Sequence, residues 1–287
     1  MMAVPRDPLR KIRTLLRNPQ LIPEYAAWMM QRPYRSSPVR HYQGIKISGF
    51  CSFSEYHSFP AMLDAAERAF IDRIAPRIRT CVDVGANIGA WSLYLSSLNE
   101  RIRIAAFEPD PYTYRSQVYN IALNGNGAIQ PFNCAVGREV AQVAFASDPR
   151  SRATQSLATS ASANTIVVPC TTLDAAVAAG LVPFEIDLLK VDVEGFEELV
   201  FEGAKDLFGR KGVRVVYFEH CPALIRRAGL QVSAPLRRLL DAGYGLHEIG
   251  EEGRIRRVSP GEPDYVLKNL VAVAPEAAAR ALVDESA

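Results

Sequence analysis

The segment Cys81–Trp91 constrains the fold more than any other part of the sequence. It reads Cys-Val-Asp-Val-Gly-Ala-Asn-Ile-Gly-Ala-Trp, an apolar strand followed by a turn that contains two glycines. Gly85 and Gly89 let the backbone turn tightly against a ligand, and the helix expected after them offers unpaired N–H groups to an anion. Glu108 ends the next apolar run, nineteen residues after Gly89, where a carboxylate can bind the hydroxyls of a ribose. The pattern predicts a strand, turn and helix that bind a nucleoside.

The spacing of the two glycines narrows the choice of nucleoside. The turn reads Gly-x-x-x-Gly and lacks the central glycine that lets a backbone approach a pyrophosphate, which disfavours NAD. S-adenosylmethionine has a ribose, an adenine and a carboxylate but no phosphate, and it fits the pattern better. An NAD-dependent oxidoreductase and a non-catalytic scaffold that binds an adenosyl ligand stay open as alternatives.

Composition excludes several other classes of protein. The chain of 287 residues has 48% hydrophobic residues and a net charge of +2, so nothing in its charge balance calls for a nucleic-acid partner. No apolar run of about 18 residues is present to cross a bilayer, and no secretory signal is visible. The five cysteines share no Cys-x-x-Cys spacing, which favours reduced thiols in a cytoplasmic protein over a disulfide framework or a zinc site.

The order of apolar segments predicts three regions. Residues 1–61 form an N-terminal helical and irregular extension, residues 62–275 the main domain, and residues 276–287 a tail. Residues 8–31 resemble a pair of basic amphipathic helices, which suit packing on the domain, contact with a second subunit in a homo-oligomer, or weak contact with an anionic membrane surface.

Strands and helices alternate through the main domain, as in an α/β protein with a mostly parallel sheet covered on both faces. Between the third and fourth strands, residues 140–147 and 165–170 alternate in polarity and predict an antiparallel hairpin. Its tip, residues 147–164, is rich in Ser, Ala and Thr, which suits a mobile lid or a plain exposed loop. The seven strands expected in the sheet are 80–84, 103–108, 129–136, 186–192, 213–219, 244–249 and 264–273, and the main helices are 62–75, 88–97, 111–123, 172–179, 194–208 and 234–242.

Four segments together resemble the FkbM-type S-adenosylmethionine-dependent methyltransferases, which have the class I, Rossmann-like fold with a seven-stranded sheet. They are Val82–Trp91, Phe107–Pro111 (Phe-Glu-Pro-Asp-Pro), Thr172–Asp174 (Thr-Leu-Asp) and Leu189–Glu198 (Leu-Lys-Val-Asp-Val-Glu-Gly-Phe-Glu-Glu), the last being the most specific. The likeness spans about residues 62–275. It implies the fold, the cofactor and O-methylation of a hydroxyl on a small molecule or sugar.

The resemblance also assigns cofactor contacts. Residues of the first loop would lie along the methionine end and the ribose, Glu108 would hold the ribose hydroxyls, and the segments after the second and third strands would border the adenine. The residues concerned are Asp83, Gly85, Ala86, Asn87, Gly89, Glu108, Pro109, Asp110, Asn133, Cys134 and Ala135.

Methyl transfer to a hydroxyl needs a base near the acceptor, and ligands of parallel sheets bind beyond the carboxyl ends of the strands. The candidates at those ends are Asp192 and Glu194 after the fourth strand, and Glu219 and His220 after the fifth. Glu194 would either face the site or begin the next helix. Asp192, Glu194 and Glu219 suit Mg²⁺ by their oxygen chemistry, but their spacing does not require a metal.

Four further positions have expected locations or partners. His57 is a candidate acceptor-side residue that reaches over the cofactor from the N-terminal segment, whereas His41 and His247 are expected on the surface. Lys190 lies in the middle of an apolar strand, where its charge needs a buried partner such as Asp83 or Glu219.

Overall fold

The structure is a computed structural model of the chain, and it describes residues 18–31, 38–61, 63–147, 156–157, 165–258 and 267–283. Fourteen strands are present in these residues. They are β1 (Arg40–Tyr42), β2 (Ile45–Ile47), β3 (Thr80–Val84), β4 (Arg103–Phe107), β5 (Ile129–Phe132), β6 (Ala135–Val136), β7 (Ala141–Ala146), β8 (Ser156–Leu157), β9 (Thr165–Thr171), β10 (Ile186–Val191), β11 (Val213–His220), β12 (Gly245–Ile249), β13 (Ile255–Arg257) and β14 (Lys268–Val273).

The main sheet has eight strands in the order β13-β12-β14-β11-β10-β3-β4-β5. The five strands from β11 to β5 are parallel to one another, while β14 is antiparallel to both β11 and β12. This is the predicted class I, mostly parallel α/β sheet, with β13 as an eighth strand at the edge. The chain reverses its strand order between β3 and β10, and the crevice at such a switch point is where open α/β sheets bind ligands.

The third predicted strand is shorter than expected. β5 ends at Phe132, and β6 belongs to a second sheet of order β6-β9-β7-β8. The polar and small residues between Phe132 and Ala135 leave the main sheet because β6 pairs with β9 instead. The predicted hairpin is confirmed, since β7 and β9 are antiparallel. Most of its tip lies outside the described residues, so the lid stays a prediction.

The helices cover both faces of the main sheet, and five of the six main predicted ones are found within a few residues of their expected bounds. The predicted helix 194–208 is instead two short helices, because the chain turns at Gly203 and Ala204 between them. The α-helices are Ile22–Gln31, Phe53–Ser58, Ala65–Ile74, Ala90–Leu98, Pro111–Leu123, Leu173–Ala178, Glu197–Glu202, Lys205–Gly209, Pro222–Arg227, Ala234–Asp241 and Ala277–Val283.

Local sequence explains where the helices around the site begin. Asp110 caps helix Pro111–Leu123 by accepting the N–H groups of Tyr112 and Thr113, and the proline that follows it needs no donor there. Helix Ala65–Ile74 begins with a capping box, in which Asp64 and Glu67 each accept the other's backbone N–H. Both helix starts therefore bring carboxylates to the edge of the sheet.

The described N-terminal segment packs on the main domain. Ile45, Ile47 and Phe59 belong to the same buried core as the strands of the main sheet. Asn120 fastens the segment to helix Pro111–Leu123, because its side chain accepts the N–H of Ser48 at 2.9 Å and donates to the carbonyl of Ser48 at 3.0 Å. Residues 1–17 lie outside the described residues, so membrane or subunit contact through the first basic helix stays a prediction, as do the domain bounds.

Gly253 shows how tightly the edge of the sheet is fitted to helix Ala65–Ile74. Its φ is +70°, and a Cβ atom placed on it would lie 2.2 Å from the backbone nitrogen of Phe70. Gly125 has a similarly positive φ of +59°, but no atom lies within 4 Å of its Cβ position. A side chain would strain the backbone at either glycine, but only at Gly253 would it also collide with a neighbouring helix. Comparing the two positions therefore distinguishes backbone strain from steric collision.

We expect Gly253→Ala to destabilise the protein by clearly more than Gly125→Ala, in a urea unfolding titration. Gly125→Ala, the control, should lower the free energy of unfolding by about 1 to 2 kcal/mol because of its left-handed backbone alone. Gly253→Ala must also displace helix Ala65–Ile74. Equal losses for the two variants would show that the close approach to Phe70 is not a constraint.

Candidate active site

A cavity of about 710 Å³ lies at the carboxyl ends of β3, β4, β10 and β11. This volume is within the usual range of about 300 to 1,000 Å³ for small-molecule sites. The first loop and Glu108 form one end of the cavity. The N-terminal segment closes it from above with Phe50 and Phe59, and the acidic strand ends Asp192 and Glu219 form the other end.

The first loop, residues 85–89 after β3, takes its path because of one close backbone contact. Gly85 has a φ of +78°, and a Cβ atom there would lie 1.9 Å from the carbonyl oxygen of Asp192. Only glycine therefore lets the loop after β3 cross the end of β10. Gly89 is also left-handed, with a φ of +83°, but it faces Gln117 on the far side of the loop and does not line the cavity.

Glu108 joins the two loops that form the cofactor end of the cavity. Its Oε2 accepts the backbone N–H of Asn87 at 2.9 Å, and its Oε1 accepts that of Asp110 at 2.9 Å. The side chain is only 5% exposed, and this burial raises its pKa to about 7. Each oxygen keeps a second lone pair, so the carboxylate can still accept two hydroxyl donors from the cavity.

The other cofactor candidates divide into two groups. Ala86, Asn87, Pro109, Cys134 and Ala135 line the cavity together with Gly85 and Glu108. Asp83, Gly89, Asp110 and Asn133 do not line it, and their contact with a cofactor stays a prediction.

Asp110 and Asn133 support the site from behind. The Asp110 side chain is taken up by its helix cap and by a hydrogen bond from the Ser147 hydroxyl. The Asn133 amide donates to the carbonyl oxygens of Glu108 and Pro109, each at 2.9 Å. Asn133 therefore fixes the backbone that carries Glu108.

Lys190 is buried between the first loop and the acidic end of the cavity. Its Nζ lies 3.1 Å from Asp83 Oδ1 and 3.6 Å from Asp192 Oδ2, and it donates to the carbonyl oxygen of Gly85 at 2.8 Å. Burial alone would lower the pKa of this lysine, but the two carboxylates outweigh burial and raise it. The expected partner Asp83 is confirmed.

Glu194 and Glu219 face the cavity beside Asp192. Glu194 is neither extended nor at a helix start, since its φ of +56° places it in a left-handed turn and the next helix begins at Glu197. Burial, followed by repulsion from Asp192, raises the pKa of Glu194 to about 7. The same causes, with added repulsion from Glu194, raise the pKa of Glu219 to about 8.

The turn that carries Glu194 is held by Glu197. The Oε1 of Glu197 accepts the N–H groups of Val193 at 3.2 Å and Gly195 at 3.1 Å. Gly195 has a φ of +97°, and its Cβ position lies 2.5 Å from the backbone of Leu224. A non-glycine residue in a left-handed conformation costs free energy, so the surrounding contacts must hold Glu194 in place.

His220 and His57 lie outside the cavity lining, so their roles at the site stay predictions, and His247 is buried, not on the surface as expected. His220 is fully buried and its Nε2 lies 2.9 Å from the carbonyl oxygen of Val232, on the opposite side of β11 from the cavity. His57 lies 2.7 Å from Glu24 and outside the cavity lining. His247 is 1% exposed, because β12 lies between β13 and β14, whereas His41 is exposed as expected.

The local sequence pattern did not predict several of the residues that line the cavity. The cavity lining also includes Phe50, Phe59, Glu67, Trp91, Phe145, Tyr217 and Asn269. Glu67 accepts a hydrogen bond from the side chain of Asn269, which lies 202 residues further along the chain. Only the arrangement of β11 beside β14 brings such residues together.

The described part of the chain contains no group of three or more His, Cys, Asp or Glu side chains arranged to hold a metal ion. Asp192, Glu194 and Glu219 therefore give no support to the magnesium hypothesis. Within the same residues, no helix is long and apolar enough to cross a membrane.

The domain has a class I α/β sheet with a cavity at its switch point. This is the architecture of methyltransferases. A family model described as the methyltransferase FkbM domain matches residues 83–245. The chain belongs to this family.

The chain is also similar to individual proteins. "Methyltransferase 1" of Beauveria bassiana (strain ARSEF 2860) is 32% identical over 113 residues, which are 37% of this chain and 45% of that protein. The match thus spans less than half of that relative. The solved precorrin-6y C5,15-methyltransferase of Geobacter metallireducens GS-15 is 13% identical, with 72% of this chain and 87% of that chain covered and a TM-score of 0.39. TYW2 of M. jannaschii in complex with AdoMet is also 13% identical, with 83% and 84% covered and a TM-score of 0.39.

Family membership implies S-adenosylmethionine as the methyl donor, and the residues present fit it. Glu108 has free acceptor capacity for the ribose hydroxyls, and the loop at Ala86 and Asn87 would hold the methionine part. Pro109, Cys134 and Ala135 offer an apolar border for the adenine. No cationic side chain except Lys190 lines the described cavity, which agrees with a ligand that has no phosphate.

We expect Lys190→Met to destabilise the folded protein strongly, because Asp83 would keep a fully buried charge without its partner. Loss of one member of a buried ion pair costs about 3 to 5 kcal/mol. Guanidinium unfolding would measure it, with Lys205→Met at an exposed position as the control. A loss of stability as small as that of Lys205→Met would show that Lys190 does not hold the first loop in place.

We also expect the free energy of unfolding of the ligand-free protein to fall as pH rises from about 5 to about 8. Burial raises the pKa of Glu108, Glu194 and Glu197 to about 7 and that of Glu219 to about 8, from an ordinary value of 4.5. These carboxyls bind protons more tightly in the folded state, so their contribution is complete below the unfolded pKa and is lost progressively from there up to the folded pKa values.

Urea titrations across that window would measure this slope. Buried His220, whose pKa is lowered by burial, acts in the opposite direction and mainly at lower pH. Glu108→Gln should flatten the slope, whereas exposed Glu139→Gln should leave it unchanged. Stability that rises across the window would contradict the assignment.

Proposed function

We propose that this protein is an S-adenosylmethionine-dependent methyltransferase that methylates a hydroxyl on a small molecule or sugar. The observation that carries the proposal is Glu108, a buried carboxylate that links the two cofactor loops and keeps free acceptor sites toward the cavity. Family membership supports methyl transfer. Location in the cytoplasm and the absence of a nucleic-acid partner belong to the same proposal, on the composition of the chain.

The acceptor would bind at the end of the cavity formed by β10, β11 and β14. When bound, the cofactor supplies an electrophilic methyl group on a sulfonium centre. The protein must place the acceptor oxygen in line with that methyl group, which is largely a matter of positioning. Phe50 and Phe59 cover this end from the N-terminal segment and limit the access of water.

The acceptor hydroxyl must lose a proton as it is methylated, and three carboxylates are available to take it. Asp192 is held by Lys190 at 3.6 Å, which suits it to orient the acceptor. Glu194 and Glu219 have pKa values raised to about 7 and about 8, close to the range in which a general base works well near neutral pH. We therefore assign the base to Glu219 or Glu194 and the orienting role to Asp192.

Isothermal calorimetry with S-adenosylhomocysteine tests the cofactor assignment. We expect binding to the wild-type protein, and a loss of at least about tenfold in affinity for Glu108→Ala, since the ribose would lose charge-assisted hydrogen bonds of about 1.5 to 3 kcal/mol. Glu139→Ala, on the exposed hairpin, is the matched control. NAD should produce no heat.

Absence of binding by S-adenosylhomocysteine to folded protein would overturn the proposal, and binding of NAD in its place would favour the oxidoreductase. The scaffold alternative has its own test. If cofactor binds and an acceptor is methylated, and Asp192→Asn and Glu194→Gln leave the turnover unchanged, the strand ends do not carry the chemistry.

A further inference from the structure

The described lining of the cavity carries more negative than positive charge. Among these described residues, seven carboxylates line the cavity against one ammonium group, that of Lys190. Asp83 and Asp192 already share that ammonium. The acidic lining residues are Glu55, Asp64, Glu67, Glu108, Asp192, Glu194 and Glu219.

Most of these carboxylates have partners within the protein, but two at the acceptor end do not. Glu55 accepts the N–H of Cys51, and Asp64 and Glu67 cap helix Ala65–Ile74. The Oε2 of Glu219 is buried without a hydrogen-bond partner in the described residues. Glu194 makes no hydrogen bond or ion pair within the described residues, although Arg227 and Lys190 attract its carboxylate from a longer distance. Such groups are costly unless a ligand supplies donors.

The wall beside these carboxylates is aromatic. Trp91 stacks on Tyr217 with ring centroids 6.0 Å apart, and both line the cavity. Trp91 is 6% exposed, and its indole N–H has no hydrogen-bond partner among the described residues. Tyr217 lies within electrostatic reach of Glu67, Asp192 and Glu219. Tyr217 also stacks on Phe70, with ring centroids 6.3 Å apart, and is only 3% exposed. The Trp91 side of this wall is therefore the aromatic surface that can contact an organic cation next to the carboxylates.

The charges of the cofactor do not account for this excess. S-adenosylmethionine carries a sulfonium, an ammonium and a carboxylate, which sum to one positive charge. A divalent metal does not account for it either, because the described carboxylates are not grouped to hold one. A neutral polyol would supply hydroxyl donors, but it would bring no positive charge to stabilise Glu194 and Glu219 in their ionised forms beside Asp192.

We propose that the acceptor carries a protonated amine beside the hydroxyl that is methylated, and that Glu194 and Glu219 bind this amine against the Trp91–Tyr217 wall. This inference rests on the proposed function, since it assigns the substrate class of the same cavity. One of the two carboxylates binds the ammonium while the other stays available to the hydroxyl proton.

The test compares an amine with its uncharged N-acetyl derivative on protein saturated with S-adenosylhomocysteine. Two such pairs suit the test, glucosamine with N-acetylglucosamine and tyramine with N-acetyltyramine, because each pair keeps its hydroxyl while the added acetyl group removes the positive charge of the amine. We expect the amine of at least one pair to bind about tenfold more tightly than its derivative, which corresponds to about 1.4 kcal/mol. Glu219→Gln should reduce this preference, and exposed Glu139→Gln should keep it.

The inference is overturned if the amine does not exceed its derivative in either pair, whether both bind equally or neither binds. It is also overturned if Glu219→Gln and Glu194→Gln both retain the full preference. Failure of the proposed function is seen separately, as absence of the S-adenosylhomocysteine complex before any probe is added.

Discussion

The buried ammonium of Lys190 is the interaction on which the rest of the site depends. It lies in the middle of β10, where an unpaired charge would not be tolerated, and it contacts Asp83 on β3, the carbonyl of Gly85 and Asp192. One cation thus fixes the first loop to the end of the neighbouring strand. Gly85 permits the close approach, because any side chain there would collide with the backbone of Asp192.

Carboxylates dominate both ends of the cavity, but they act in different ways. Glu108 is held by two backbone N–H groups and, in the proposed function, uses its remaining lone pairs to bind the ribose hydroxyls. Glu194 and Glu219 lie beside Asp192 with raised pKa values and few internal partners. In the proposal, the first arrangement organises the cofactor, whereas the second is electrostatically unfavourable until an acceptor binds.

Much of the fold follows from local pattern. The strands β3, β4, β10 and β11 are mostly apolar because both faces of a parallel sheet are covered. Asp110 followed by Pro111 predicts the start of its helix correctly, since capping depends only on neighbouring residues. The helix predicted from residue 194 begins only at Glu197, because the turn at Glu194 is stabilised by Glu197 and by the close approach of Gly195 to Leu224.

The sequence by itself determined the strand, turn and helix of the nucleoside site, the carboxylate at Glu108 and the need of Lys190 for a buried partner, because these depend on short spacings and on the cost of burying charge. Only the tertiary structure decided which polar residues face the cavity. It turned His220 toward Val232, moved Asp110 and Asn133 behind the site, and brought Glu67 against Asn269. Such choices depend on which strands become neighbours, and that is a property of the whole sheet.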